Sequence, residues 1–269
     1  MAIHDLTLCR SLLFLPASNG RAIEKARRLD ADMIVLDLED SVREEDKASA
    51  RAAAVAAVAE GFGGRPVAIR INAMGHRGHG EDMVATRQSR VPFVILPKAQ
   101  TEREVIGTHQ VTEKPVLAMI ETPGGVLAAG ALAPHTAGLI AGTNDLSAAL
   151  RIPPGSGRSG LTAALQQVVI AARAAGVAAF DGVYNRLEDD DGLSAEAREG
   201  RAFGFDGKSV IHPNQIGTVN GIFSPSDDEL EAAAALVAAA TGGAERHEGR
   251  MIEALHVAEA RALIAKARR

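Results

Sequence analysis

The chain has 269 residues and a formal net charge of −5; 46% of its residues are hydrophobic, but only 3% are aromatic. An acidic chain with few aromatic rings is a poor candidate for nucleic-acid binding, which uses basic patches and stacked bases. The single cysteine, Cys9, excludes an intramolecular disulfide. The first residues lack the apolar core of a signal peptide, and no apolar run reaches the roughly 18 residues that span a bilayer. We therefore expect a cytoplasmic protein that binds neither nucleic acid nor membrane.

Short apolar runs alternate along the chain with Ala-, Arg- and Glu-rich stretches of helical character. They predict eight strands, at residues 11–16, 32–40, 66–72, 91–98, 115–122, 137–146, 176–184 and 205–213. Alternation of strands and helices is typical of a parallel sheet. Eight strands in a chain of this size predict an α/β protein with a closed (β/α)8 barrel, the TIM barrel, whose chemistry lies at the carboxyl ends of the strands.

Two helical stretches follow the barrel, at about 227–240 and 248–267. The barrel needs only one of them to complete its outer ring of helices. We therefore divide the chain into a catalytic barrel at 1–225 and a C-terminal helical extension at 226–269. The surplus helix is expected to pack on a neighbouring subunit, which makes a homo-oligomer the expected state.

Charged residues stand at the ends of several predicted strands. Asp37, Glu39 and Asp40 follow the second strand, and Arg70 lies inside the otherwise apolar third strand. A guanidinium in such a place needs an anionic substrate or a carboxylate partner, and an ion pair with Asp37 or Glu39 is compatible with substrate binding. The acids themselves either orient ligands or form an acidic turn before a helix N-terminus, where carboxylates are favoured in any case.

Glu121 and Asp145 end the fifth and sixth predicted strands. Two carboxylates from adjacent strands suit Mg²⁺, which combines few carboxylates with water and substrate oxygens. The alternative is a pair of helix-capping or salt-bridged acids. Lys98 and Lys208 also lie near strand ends, where a lysine can bind substrate or form a Schiff base, as in a barrel aldolase. The acidic pair favours the metal-dependent route. Ser147 and Ser156 lack the His and acid context of a hydrolase triad.

The ordered set of strand motifs resembles the citrate lyase beta-subunit (CitE-like) family of the HpcH/HpaI aldolase superfamily. The matching motifs cover nearly the whole chain: RSLLFLP at 10–16, ADMIVLDLEDSV at 31–42, RIN at 70–72, LPK at 96–98, IET at 120–122, GTNDL at 142–146 and DGKSVIHP at 206–213. The resemblance implies a Mg²⁺-dependent carbon–carbon lyase of acyl thioesters such as citryl-, malyl- or citramalyl-CoA. It also implies an oligomer, with a trimer as one form.

Carried over to this chain, the resemblance makes Glu121 and Asp145 the Mg²⁺ ligands. Arg70 would hold the carbonyl or carboxylate of the substrate. The candidate catalytic residues are Arg70, Asp37 and Glu253, and the candidate substrate-binding residues are Arg70, Glu39, Asp40, Lys98 and Lys208.

The chain departs from the family pattern at three places. Asn144 stands where the family commonly has Glu, and Pro123-Gly124 follow Glu-Thr where Ala-Arg is common. The segment at 249–253 resembles one in which an Asp reaches into a neighbouring subunit for acid/base chemistry, but this chain has Glu253. One added methylene displaces a proton-transfer group by about an ångström, an error that can cost ~100-fold in rate.

Three functions remain open from the sequence. The first is the Mg²⁺-dependent lyase of a 3-hydroxyacyl thioester. The second is a Mg²⁺-dependent aldolase of free 2-keto-4-hydroxy acids, or the condensing direction combined with thioester hydrolysis. The third is a non-catalytic or partner-dependent thioester-binding subunit, which the three departures favour.

Overall fold

The protein is a closed barrel of eight parallel strands surrounded by helices, as the sequence predicts. The computed structural model describes residues 5–241, 243, 245–247 and 250–267. The strands are β1 (Ser11–Pro16), β2 (Met33–Asp37), β3 (Val67–Arg70), β4 (Phe93–Leu96), β5 (Val116–Ile120), β6 (Gly138–Ala141), β7 (Ala178–Asp181) and β8 (Gly207–Val210). They pair in sequence order, and β8 pairs with β1, which closes the barrel.

Helices follow the strands and cover the outside of the barrel. They are α1 (Gly20–Ala26), α2 (Lys47–Glu60), α3 (His79–Gln88), α4 (Glu102–Thr112), α5 (Pro123–Leu132), α6 (Thr143–Ala149), α7 (Thr162–Ala175), α8 (Asp190–Phe203) and α9 (Gln215–Phe223). Several begin with side-chain caps; at α4, Thr101 and Glu104 form a capping box. Among the described residues, no helix is both long enough and apolar enough to cross a membrane.

Inward-facing side chains of the strands fill the barrel with an aliphatic core. Its buried members include Leu12, Phe14, Met33, Ile95 and Phe180, and they follow the two-residue alternation of each strand. A filled barrel leaves room for ligands only at its ends, so the polar groups at the carboxyl ends of the strands define the available site.

The sixth strand is shorter than predicted. Residues 137–146 were expected to be one strand, but β6 ends at Ala141 and α6 begins at Thr143. A short apolar run does not distinguish the end of a buried strand from the first turn of a helix. The correction matters for Asp145, because this residue lies in the first turn of α6 and not on a strand.

The described residues divide into two compact units, one ending at Asn220 and the other beginning at Gly221. In the second unit, α10 (Asp227–Ala239) packs against α11 (Ala254–Ala267), and a hairpin pairs β9 (Glu245–His247) with β10 (Arg250–Ile252). The predicted helix at 248–267 is therefore wrong at its start, where β10 stands; Glu248 and Gly249 lie outside the described residues. That this extension packs on a neighbouring subunit stays a prediction.

Lys208 does not belong to the site at the barrel end, although we expected it to bind substrate. It is fully buried, and its Nζ lies 2.9 Å from Asp181 Oδ2 and 2.7 Å from Glu196 Oε1 of α8. Arg158 Nη1 also lies 3.0 Å from Asp181 Oδ2. Burial would raise the pKa of Asp181, but the charges of Lys208 and Arg158 outweigh it and lower that pKa. Lys208 thus faces the helices, where it joins β8 to β7 and α8.

We predict that Lys208→Met lowers the free energy of unfolding by about 3 kcal/mol, because it leaves buried carboxylates without one of their two cations. Urea denaturation followed by circular dichroism measures the change. The control is Lys25→Met at an exposed position of α1, which should shift stability by less than about 0.5 kcal/mol. A loss below about 1 kcal/mol for Lys208→Met would show that the pair adds little.

Candidate active site

A cavity of about 450 Å³ opens at the carboxyl end of the barrel. Its charged lining residues are Asp37, Asp40, Arg70, Glu121 and Asp145. The structure therefore brings together, from the ends of β2, β3 and β5 and the first turn of α6, residues that are far apart in the sequence. Lys208 is not among the lining residues, and Glu39 and Lys98 lie beside this cavity and line a smaller one of about 320 Å³ together with Asp40.

Arg70 and Asp37 form a two-point ion pair at the base of the cavity. Arg70 Nε lies 2.6 Å from Asp37 Oδ1, and Nη2 lies 2.6 Å from Oδ2. The pairing follows from the strand register, which places Asp37 of β2 directly beside Arg70 of β3. The guanidinium also lies 5.4 Å from the ring centre of Phe14. These contacts fix a positive charge in one orientation at the cavity wall.

Asp37, one of the candidate catalytic residues, holds Arg70 in position. Besides Arg70, its carboxylate accepts hydrogen bonds from the hydroxyl of Ser41 and from the backbone N–H of Glu39 at 3.0 Å. Burial would raise the pKa of Asp37, but the hydrogen bonds and charge of Arg70 outweigh it, so this pKa is lowered. A carboxylate that is fully engaged and held ionised does not exchange a proton readily.

Glu39 lies behind Arg70. Its side chain is 4% exposed, and its Oε2 lies 3.2 Å from Arg70 Nη1 with a geometry too poor for a hydrogen bond. Desolvation raises the pKa of Glu39 to about 8, although the charge of Arg70 opposes this shift. Arg70 is already paired with Asp37, so Glu39 adds a second acid that is poorly compensated.

Glu121 follows β5 and points its carboxylate into the cavity. It is 4% exposed, and its Oε1 accepts a hydrogen bond from the backbone N–H of Lys98 at 2.8 Å. Desolvation raises the pKa of Glu121 to about 7. Position 142 at the end of β6 must be glycine, because a Cβ there would lie 2.6 Å from Glu121 Oε2. The end of β6 therefore closes around this carboxylate.

Asp145 meets Lys98 at the same edge of the cavity. Lys98 Nζ lies 3.2 Å from Asp145 Oδ2, and both side chains are more than one-third exposed. Lys98 itself has a left-handed backbone conformation with φ of 52°, which a lysine adopts only when its surroundings hold it there. Its backbone contacts Glu121 and its ammonium contacts Asp145, so Lys98 touches both predicted metal ligands.

The donor set fits Mg²⁺ better than a metal with a protein cage. Within the described parts of the chain, no group of three or more His, Cys, Asp or Glu side chains converges to hold a metal ion. Mg²⁺ needs only one or two carboxylates, because water and substrate complete its six oxygen ligands. The raised pKa of Glu121 shows a buried carboxylate short of positive charge, which a divalent cation would supply.

Asn144 and Asn185 form an amide pair that the sequence reasoning missed. Asn185 Nδ2 donates to Asn144 Oδ1 at 2.6 Å, and Asn144 Nδ2 donates to Asn185 Oδ1 at 3.3 Å. Both residues line the cavity and tie the start of α6 to the loop after β7. In the sequence, Asn144 stands out only as a departure from the family pattern. The signal that was missed is its partner, since residues 41 positions apart meet only in the folded barrel.

Glu253 lies in the second unit, between β10 and α11, and is exposed. Its backbone N–H donates to Nδ1 of His256 at 2.9 Å, and its carbonyl oxygen accepts from the N–H of Val257 at 3.3 Å. These bonds place Glu253 at the start of α11. Its expected role in acid/base chemistry stays a prediction.

The fold and the site together define a TIM-barrel protein with an acidic pair suited to a divalent cation and a fixed arginine at its active face. Residues 10–213 match the model of the HpcH/HpaI aldolase/citrate lyase family, and the chain belongs to this family. The resemblance inferred from the strand motifs is thereby confirmed.

Named relatives span almost the whole chain. A (3S)-malyl-CoA thioesterase of Cereibacter sphaeroides is 39% identical, over 98% of this chain and 96% of the relative. A citrate lyase subunit beta-like protein of Deinococcus radiodurans is 34% identical, over 96% of each chain. CitE of Mycobacterium tuberculosis, solved with magnesium, acetoacetate and coenzyme A, has a TM-score of 0.84 and 32% identity, over 97% of this chain and 99% of that one. The proteins similar to this chain thus include a malyl-CoA thioesterase and a protein solved with magnesium and coenzyme A.

We predict that the protein without divalent cations loses stability as pH rises from about 5 to 8. The pKa of Glu121 is raised in the folded state, so the folded protein binds more protons than the unfolded chain over this range. Glu121→Gln should therefore stabilise by about 2 kcal/mol at pH 8.5 and by less than half as much at pH 5.5. Urea denaturation in EDTA at both pH values measures this. Glu102→Gln, at an exposed position, is the control; equal effects of Glu121→Gln at the two pH values would contradict the prediction.

Proposed function

We propose that the protein is a Mg²⁺-dependent carbon–carbon lyase of a 3-hydroxyacyl-CoA thioester that carries a carboxylate beside the hydroxyl, such as malyl-, citramalyl- or citryl-CoA. The observation that supports it most is the meeting of Glu121, Asp145 and Arg70 around one cavity. This combination suits an α-hydroxy acid. Its hydroxyl and carboxylate oxygens would chelate Mg²⁺, and the guanidinium of Arg70 would stabilise a developing enolate.

In this proposal Glu121 and Asp145 hold the cation. When bound, Mg²⁺ would polarise the hydroxyl and carboxylate oxygens of the substrate. Lys98 keeps Glu121 in place through its backbone N–H, which leaves the other carboxylate oxygen of Glu121 for a ligand. Its ammonium is the candidate group for the substrate carboxylate, and exposed Asp40 is a candidate for contacts at the cavity rim.

The reaction breaks one carbon–carbon bond. A base takes the proton of the substrate hydroxyl, the C–O bond becomes a carbonyl, and the bond to the neighbouring CH₂ breaks. Its electron pair passes to the thioester as an enolate, which takes a proton to give the acyl-CoA. Arg70 faces this developing negative charge, and Asp37 keeps the guanidinium fixed so that it need not reorient during the reaction.

A defined substrate panel tests the proposal. Malyl-, citramalyl- and citryl-CoA and free 2-keto-4-hydroxy acids are incubated with purified protein, with Mg²⁺ or with EDTA, and all products are identified by mass spectrometry. We expect Mg²⁺-dependent formation of a keto acid and an acyl-CoA from one thioester, and a loss of at least ~100-fold in kcat for Glu121→Ala. Turnover of free keto acids alone would favour an aldolase, and no turnover at all would favour a partner-dependent subunit.

Thioester hydrolysis is the second candidate, and the 39% identity with (3S)-malyl-CoA thioesterase favours it. The same bound substrate serves both reactions, because the cation holds its hydroxy-acid end in each case. The products separate them: hydrolysis of malyl-CoA gives malate and free CoA, whereas cleavage gives glyoxylate and acetyl-CoA. Release of thiol without a keto acid would therefore replace the lyase by a thioesterase.

We further propose that Glu253 acts as the acid/base group in the cavity of a neighbouring subunit of a homo-oligomer. Its position at the start of α11 and its exposure support a contact outside its own unit. Glu121→Ala and Glu253→Ala should each be inactive alone. If the cavity is shared between subunits, a refolded mixture of the two variants should recover roughly a quarter of wild-type activity, since some sites then combine two intact parts. No recovery in the mixture, with both variants oligomeric by light scattering, would contradict a shared site.

A further inference from the structure

Ser209 faces the inside of the barrel. It lies on β8 directly after Lys208, whose side chain points to the helices, so strand alternation turns Ser209 inward. The register pairs it with Leu12 of β1, a member of the barrel core. Ser209 also lines the cavity that contains Arg70 and Glu121.

The hydroxyl of Ser209 has no partner in the part of the chain that the structure describes. The residue is 2% exposed, and its Oγ forms no hydrogen bond to any described group. A buried hydroxyl without a partner costs free energy, so its presence needs an explanation. Alanine would fill the same position without this cost.

The surroundings of Ser209 indicate which ligand satisfies it. Phe14, Val183 and Ile211 make the β7–β8–β1 side of the cavity largely apolar, apart from Asn185, whose amide is paired with Asn144. The charged residues stand on the side of β2, β3, β5 and α6. A substrate held by those charged residues presents its remaining oxygens to the apolar wall. The bulky CoA part of a bound thioester must extend out of the open end of the barrel. Groups on the inner wall of the cavity therefore contact the small hydroxy-acid end of the substrate.

We propose that Ser209 is a substrate-binding residue whose hydroxyl donates a hydrogen bond to an oxygen of the hydroxy-acid or keto-acid end of the substrate. This inference rests on the proposed function for the identity of that substrate. A carboxylate or carbonyl oxygen accepts only, and Ser209 is the donor that the apolar wall offers to it.

Ser209→Ala tests the proposal, with Thr86→Val as the matched control. Thr86 is likewise fully buried with an unpartnered hydroxyl, but it lies on α3 and does not line the cavity. Three quantities are measured: the melting temperature without ligand, the Kd of pyruvate in the presence of Mg²⁺ by calorimetry, and kcat and KM on the thioester that the wild type turns over.

We expect Ser209→Ala to melt at or above the wild-type temperature, because it removes an unsatisfied group. Its Kd for pyruvate and its KM should rise about tenfold, the effect of one lost hydrogen bond to a charged acceptor, with kcat within about twofold. Thr86→Val should also keep or raise the melting temperature, but leave Kd and KM unchanged.

Two results would overturn the proposal. A Kd and KM within about twofold of wild type would show that the hydroxyl does not meet the substrate, and a clear fall in melting temperature would assign it a structural bond. The proposed function fails separately, when the wild type turns over no thioester. In that case a tenfold weaker pyruvate Kd for Ser209→Ala would still support Ser209 as a binding residue, whereas an unchanged Kd would reject it.

Discussion

The ion pair between Arg70 and Asp37 organises the active face of this barrel. It joins β2 to β3 at their carboxyl ends and makes a buried guanidinium stable where water is scarce. Both carboxylate oxygens of Asp37 accept hydrogen bonds from Arg70. The charge of Arg70 is thus partly neutralised but fixed in direction, which is what the stabilisation of an enolate oxygen needs.

The strands carry charged groups on both of their faces, with different consequences. Arg70 points into the barrel and reaches the cavity, whereas Lys208 points outward and joins Asp181 and Glu196 between the barrel and α8. Both cations lie near strand ends, and both are bound by carboxylates. Only their position in the two-residue alternation separates a group that meets ligands from one that joins the barrel to its helices.

That distinction marks how far the sequence could predict the structure. The eight strands and the closed barrel can be predicted from the apolar runs and their spacing, and so can the strand-end positions of Asp37, Arg70 and Glu121. The direction of the Lys208 side chain cannot be predicted, because a four-residue strand with one lysine fits either face of the sheet. The Asn144–Asn185 pair cannot be predicted for another reason: it depends on how the start of α6 and the loop after β7 approach each other, which no local sequence pattern encodes.

The balance of charge around the cavity suits a divalent cation. Two cavities at this end of the barrel are lined by six acids (Asp37, Glu39, Asp40, Glu44, Glu121 and Asp145) against three cations (Arg70, Lys47 and Lys98). Arg70 is committed to Asp37, and Lys98 reaches the partly exposed Asp145, so the buried carboxyls of Glu39 and Glu121 remain undercompensated and their pKa values rise to about 8 and about 7. Such a site either holds protons or binds a divalent cation. Only the second choice leaves the carboxylates ionised at neutral pH, which is the state that the proposed lyase needs.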